Sequence, residues 1–426
     1  MSKVWRVGTN WDGTPLRDIF AKHKIAFAGQ DVQRRMNEVE IGDLVGIGSG
    51  VRVIGVGAVS GKCKLSDTTL PDHEEFGSDL VALKFDPLIW DDACGIASTN
   101  RTSQFFQDRK HESEVRTYFR RAIQHEMKNK LEHLLRLHFQ LILTGAPGTG
   151  KTHLARELAA QIIGVTSPEQ IPKSQFEFVQ FHPSYDYSDF VQGLKPVPSS
   201  NGQIAFELQP GIFKRFCASA QTALEEDRNR SNSEPRRFVF IIDEINRADL
   251  SRVFGELFFA IEPDYRDKTV RLQQYSSFNP TASEMCVPKN VYIIGTMNDI
   301  DRSVESLDFA LRRRFVWQEI PADEPCFERV MNGVFGEGET NLWEEAKRRY
   351  RALNDKISTT ETLDDSYKIG PAYFRKLGMY KENPNDMWNE LWANHLFLLL
   401  REYLRGVPER EVVLEEMQVA YKSASK

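Results

Sequence analysis

Apolar and polar positions change rhythm along this chain, and the changes divide it. From residue 1 to about 90, apolar residues alternate or form short runs broken by glycine. Val4-Trp5-Arg6-Val7-Gly8 alternates, and Leu80 to Phe85 is a further run. Leu44-Val45-Gly46-Ile47-Gly48 and Val51-Arg52-Val53-Ile54-Gly55-Val56-Gly57-Ala58-Val59 flank a tight turn at Ser49-Gly50. Short glycine-rich strands of this kind predict a small barrel or sandwich. Glycines inside them predict bulges or close backbone approach. Residues 91–134 begin as a polar linker and turn helical: Val115, Phe119, Ala122, Ile123, Met127, Leu131, Leu134 and Leu135 recur at spacings of three and four. That predicts one or two helices leading into a core.

Residues 135–320 alternate buried strands with helices. Leu141 to Leu143, Phe176 to Phe181, Phe238 to Ile242 and Val291 to Ile294 read as strands. Gly211 to Leu224 and Leu250 to Ile261 read as helices, and 225–237 as a charged loop. A hairpin is predicted between Gly193 and Phe206, turning at Asn201-Gly202. Alternation of this kind gives an α/β fold with a parallel sheet and ligands at the carboxyl ends of its strands. From 321 to 426 the pattern is helical, with runs at Leu342 to Ile357 and Met387 to Leu404, and predicts a helical lid.

The chemistry sits at the strand ends. The first core strand runs into Gly145-Ala146-Pro147-Gly148-Thr149-Gly150-Lys151-Thr152, followed by a helical pattern. A strand, this Gly-x-x-x-x-Gly-Lys-Thr loop and a helix together form a phosphate-binding loop. Its glycines let backbone N–H groups converge on an anion, and the helix N-terminus adds partial positive charge. Lys151 would reach the outer phosphates of a nucleotide, and the Thr152 hydroxyl would ligate Mg2+. Phe238-Val239-Phe240-Ile241-Ile242 ends in Asp243-Glu244, the Walker B form. Asp243 would hold Mg2+ and Glu244 would activate the attacking water. Ile293-Ile294-Gly295-Thr296-Met297-Asn298 ends in an amide able to position that water. Arg312-Arg313-Arg314 follows a helical stretch; in a ring these cations could reach a neighbour's nucleotide.

Composition narrows the classes. The formal net charge of −6 excludes a globally basic nucleic-acid binder but leaves local basic surfaces open. The five cysteines are scattered at 63, 94, 217, 286 and 326, without the pairing of a zinc site or disulfide framework. The first residues lack an apolar signal region, and Leu396 to Leu400 is too short to span a bilayer. A soluble, cytoplasmic protein without a membrane partner is expected.

Two resemblances follow from these motifs. Trp5, Ile41-Gly42-Asp43-Leu44-Val45 and Ile54-Gly55-Val56-Gly57-Ala58-Val59 resemble EVE and PUA-like domains, small barrels that often read modified bases. Such a reader needs aromatic faces for an extruded base; Trp5, Trp11, Phe27 and Trp90 are the candidates, unless they fill the core. Residues 135 to 405 resemble McrB-type AAA+ GTPases. The matching residues include Met297-Asn298-Asp299-Ile300-Asp301-Arg302-Ser303, the Walker B continuation Asp243 to Glu256, Phe178 to Tyr185, and Tyr367-Lys368-Ile369-Gly370-Pro371-Ala372-Tyr373-Phe374. The resemblance implies an AAA+ P-loop NTPase core with a helical C-terminal lid, preceded by a small β-rich PUA/EVE-like domain. It gives Asn298 the sensor 1 role and makes Asp301 and Arg302 a signature pair linking nucleotide state to the ring interface. It further implies GTP, a hexameric ring of identical subunits, a DNA-reading N-terminal domain and a separate McrC-type nuclease. Two positions depart from the family. Asp299-Ile300 stands where small or neutral residues are usual, and Pro371-Ala372 where His-Ser is usual. No guanine-reading Asn-Lys-x-Asp motif is present, so GTP rests on the resemblance, and ATP remains open.

The expected function is a GTP-hydrolysing motor of a type IV, modification-dependent restriction or anti-phage system. The alternative is an ATP-driven remodeller of protein complexes without nucleic-acid specificity. A non-catalytic reader whose nucleotide controls assembly is disfavoured by the presence of Glu244 and Asn298.

Overall fold

The computed structural model describes the chain except residues 1–2, 12–13, 29–31, 50–51, 71–75, 77–78, 91–95, 97–104, 109–110, 199–203, 231–233, 274–282, 301–311, 385 and 425–426. The chain divides into two compact units, Met1–Met127 and Lys128–Lys426.

The first unit is built on a six-stranded sheet. Its order is Ile25–Phe27, Val81–Trp90, Arg52–Lys64, Leu44–Ser49, Val4–Gly8, Phe106–Gln107. Val4–Gly8 and Leu44–Ser49 run parallel, and the other neighbours are antiparallel. The glycines act as their positions in strands require. A Cβ on Gly55 would lie 2.8 Å from the Trp90 ring, and one on Gly57 would lie 2.7 Å from Phe85. Register shifts at Ile47/Gly48, Gly57/Val59 and Val59/Gly61 are the expected irregularities.

The second unit holds a five-stranded sheet, all parallel: Phe176–Gln180, Phe238–Asp243, Val291–Thr296, Gln140–Thr144, Val316–Glu319. Its central strands are apolar on both faces because helices cover both; Leu141, Leu143 and Val239 through Ile242 are fully buried. An aromatic cluster braces the Asp243 strand. Phe190 stacks on Phe213 at 4.8 Å, and both meet Phe240 edge-on. Beyond the sheet, Phe327, Tyr350, Phe374, Trp392 and Tyr421 belong to a separate apolar core formed by the C-terminal helices.

Some elements differ from the sequence pattern. The one or two helices expected before the core are a single helix, Glu112–His138, in agreement with the pattern, and the differences lie further on. The helix read at Gly211 to Leu224 is Ile212–Arg228, extending into the expected charged loop. The helix read at Leu250 to Ile261 breaks at Gly255, whose φ of +50° no helix tolerates, into Leu250–Phe254 and Leu257–Ala260. The hairpin pairs Gln192–Pro198 with Ile204–Pro210, and its predicted turn lies outside the described residues. The strand Val316–Glu319 was not anticipated, and the helix Arg410–Ser423 lies within the stretch expected to be helical without having been singled out.

Candidate nucleotide-binding site

The phosphate loop leaves the Gln140–Thr144 strand between two parallel neighbours, at its carboxyl end. Gly145, Gly148 and Gly150 have φ of +132°, +81° and +76°, a region L side chains rarely enter. Gly145 has a second reason to lack a side chain: a Cβ would lie 2.5 Å from the Ile320 carbonyl oxygen. Gly150 opens the helix Lys151–Ile163, which buries Leu154, Ala155, Leu158, Ala159 and Ile162 and ends at Gly164. These spacings of three and four fix the helix against the sheet and its N-terminus toward the loop.

Lys151 folds back on its own loop. Its Nζ donates to the Gly145 and Ala146 carbonyls at 2.9 and 2.8 Å. Burial lowers its pKa to about 8 from 10.5, against the opposing pull of Asp299, Glu244 and Asp243. The Thr152 hydroxyl donates to Asp243 Oδ1 at 2.7 Å, and the Thr296 hydroxyl donates to the same oxygen at 2.6 Å. Asn298 Nδ2 donates to Glu244 Oε1 at 2.9 Å, and Arg247 pairs with the other carboxylate oxygen at 3.3 Å. Glu244 itself has a left-handed φ of +52°, a strained conformation for a side-chain-bearing residue. Thus Lys151, Thr152, Asp243, Glu244 and Asn298, drawn from three adjacent strand ends, surround one place. The hydroxyl and carboxylate oxygens of Thr152 and Asp243 are the hard donors that suit a small divalent cation.

The C-terminal helices clasp this loop from outside. Gly370 N–H donates to the Pro147 carbonyl at 3.1 Å, and Ala372 N–H to the Gly148 carbonyl at 2.9 Å. Arg329 Nη2 donates to the Thr149 carbonyl at 2.6 Å. Three successive loop carbonyls are therefore bound by the lid. Gly370 permits this approach, since a Cβ there would lie 2.1 Å from Gly148 C.

The three arginines separate. Arg314 pairs with Glu262 at 2.7 Å within its own chain and is mostly buried. Arg312 stands over the Trp317 ring, whose indole N–H donates to the Arg312 carbonyl at 3.0 Å. Arg313 is exposed and lines an open cleft with His138, Glu262 and Pro263. Asp301 and Arg302 lie outside the described residues.

Residues 140–315 match the family model described as AAA domain (dynein-related subfamily). Over 275 residues the chain is 37% identical to the Type IV methyl-directed restriction enzyme EcoKMcrB subunit of Escherichia coli (strain K12). Residues 140–315 therefore carry an AAA domain, and the chain is similar to the McrB subunit. That alignment takes in 64% of this chain and 55% of the Escherichia coli subunit, so the chain spans little more than half of that relative's length. The chain is also 25% identical over 291 residues to the Type II restriction enzyme BsuMI component YdiS of Bacillus subtilis (strain 168), covering 61% of this chain and 78% of that one. The solved structure of C. elegans PCH-2 is 15% identical, covers 71% of this chain and 69% of that one, and has a TM-score of 0.24.

The aromatic residues expected to stack on a base are placed otherwise. Trp5 is 2% exposed, stacks on Phe105 at 5.2 Å and donates its indole N–H to Asp43 at 2.8 Å. Phe27 is fully buried against Phe20 and Phe76. Both fill the core of the first unit, so neither offers a ring face to a base. Trp90 is half-buried against that core, and the Trp11 side chain lies outside the described residues. Sequence reasoning missed Thr296 and Arg329, and it quoted Gly370 within a motif without seeing its contact with the loop. Thr296 is the last residue of its strand, two residues before Asn298, and that spacing could have flagged it. Arg329 carries no local signal, because it acts through a contact 180 residues distant in sequence.

Proposed function

We propose that this chain is the GTP-hydrolysing motor subunit of a modification-dependent restriction or anti-phage system. Its first unit would read marked DNA, and a separate McrC-type nuclease would make the cut. The carrying observation is the convergence of Lys151, Thr152, Asp243, Glu244 and Asn298 in a chain similar to subunits of two restriction enzymes.

Lys151 exchanges the Gly145 and Ala146 carbonyls for phosphate oxygens when the nucleotide binds. Thr152 and Asp243 are the residues that would hold Mg2+, which supplies positive charge to the phosphate oxygens when bound. Glu244 accepts the proton of the attacking water, and Asn298 orients Glu244 through the bond they share. In a ring of identical subunits, hexameric by family analogy, Arg313 serves the neighbour's nucleotide. Arg314 is engaged internally with Glu262, which favours Arg313 for that role.

The deciding experiment measures hydrolysis of GTP and of ATP by the purified protein, each with and without methylated DNA. GTP preference with stimulation by methylated DNA is expected. ATP preference with indifference to DNA would replace this reading with that of a remodeller of protein complexes.

A further inference from the structure

One buried cation of the second unit takes no part in the site described above. Arg266 is 2% exposed. Its Nε donates to the Ile261 carbonyl at 2.8 Å, Nη1 to the Val291 and Pro288 carbonyls at 2.9 and 3.3 Å, and Nη2 to Gln140 Oε1 at 2.8 Å. These acceptors are neutral oxygens, and no carboxylate pairs with the guanidinium among the described residues. Burial lowers its pKa to about 10 from 12.5. A buried charge in such company is unfavourable, and an apolar side chain of similar volume would fill the space without that penalty. The use of arginine here therefore points to what it holds.

What it holds is Gln140. This residue is fully buried and opens the strand that ends in the phosphate loop. An arginine can only donate, so it decides which end of the amide is the oxygen. The amide nitrogen is thereby turned to the Arg314 carbonyl, to which it donates at 2.8 Å. Arg314 is caught a second time, through its guanidinium, by Glu262 at 2.7 Å. Glu262 directly follows Ile261, whose carbonyl Arg266 grips. The bonds close a circuit from Arg266 through Gln140, Arg314 and Glu262 back to Arg266. A buried network of this kind rigidifies the segments it touches. The exposed Arg313 leaves the chain directly beside this anchored backbone.

We propose that Gln140 and Arg266 are positioning residues for Arg313. They fix the backbone at Arg314, so that the preceding arginine is presented in one geometry to the nucleotide of a neighbouring subunit. This role rests on the ring reading above and adds to it the residues that aim the arginine.

The test compares hydrolysis, GTP affinity and melting temperature of the full chain in two variants. Gln140→Glu keeps an oxygen for Arg266 and makes it a carboxylate, but sets a second oxygen against the Arg314 carbonyl where a donor stood. The double variant Gln140→Met/Arg266→Met replaces the network by apolar side chains, an exchange that is often neutral or stabilising. Both should melt close to wild type and bind GTP with wild-type affinity. Both should hydrolyse it about tenfold or more slowly, part of the roughly 10³–10⁵-fold that a trans-acting arginine supplies. Mixed with Glu244→Gln chains, each should regain part of the lost rate, because an intact Arg313 then faces an intact Glu244. A wild-type rate in either folded variant overturns the proposal. So does a slow rate without recovery in mixtures, when Arg313→Ala mixed with Glu244→Gln does recover. If that control mixture co-assembles and stays inactive, the trans-acting arginine itself is refuted, and this role with it.

Discussion

At the scale of single residues, the site is set by what each side chain can still give. Lys151 holds its proton with difficulty, its pKa lowered to about 8 by burial. A bound triphosphate stabilises the ammonium and raises that value. Nucleotide affinity should therefore hold below pH 8 and fall as pH rises through about 8, because the free protein then loses the proton that binding requires. Titrating affinity from pH 6.5 to 9.5 checks this, and a flat profile would refute it. Glu244→Gln should bind nucleotide and fail to turn over, since an amide accepts no proton; a rate near wild type would rule out Glu244 as the base. Trp5 makes the contrasting case. Its replacement by Ala removes the stack on Phe105 and the bond to Asp43. About 3–5 kcal/mol of stability should be lost, seen by chemical denaturation as early unfolding of the first unit. Selective loss of nucleic-acid binding in an otherwise stable protein would contradict its core placement.

At the scale of elements, local patterns carried the reading as far as contacts stay local. The strand ending in Asp243 and the one that leads to Asn298 were legible because a continuous apolar run ending in a polar residue is what a strand buried on both faces looks like. The phosphate loop was legible because its glycines and Lys-Thr pair are contiguous. Val316–Glu319 was not, because three half-buried residues and an exposed one at a sheet edge carry too little periodicity. The break at Gly255 was overridden by a helical pattern on either side of it. Trp5 and Trp90 look alike in sequence, and only packing distinguishes a fully buried ring from a half-buried one. The Gly370 segment shows the same limit, since its partners Pro147 and Gly148 lie far back in the chain. Gly370→Ala forces a carbon into the space held by Gly148. Such overpacking is unfavourable by about 1–3 kcal/mol, and nucleotide affinity should fall as the clasp loosens. Thermal melting and titration of the same sample give both quantities; an unchanged affinity would show that the clasp is dispensable.

At the scale of the whole molecule, the proposed ring can be tested by mixing. Among the described residues no helix is long and apolar enough to cross a membrane. Arg313→Ala chains retain their own Glu244, and Glu244→Gln chains retain Arg313. Each should be nearly inactive alone. Mixed, they should recover part of the wild-type rate, because an intact arginine then faces an intact site across the subunit boundary. No recovery in mixtures shown to co-assemble would place the arginine's action within its own chain. The three bonds from the lid to Pro147, Gly148 and Thr149 bear on the same machine. They leave no slack between the place where the phosphates sit and the helices behind it. A shift of the loop by a fraction of an ångström is then transmitted to helices up to nineteen residues long, such as Thr340–Ser358. In the proposed motor the clasp would be the short arm of a lever, by which the loss of one phosphate would displace the far end of the C-terminal helices.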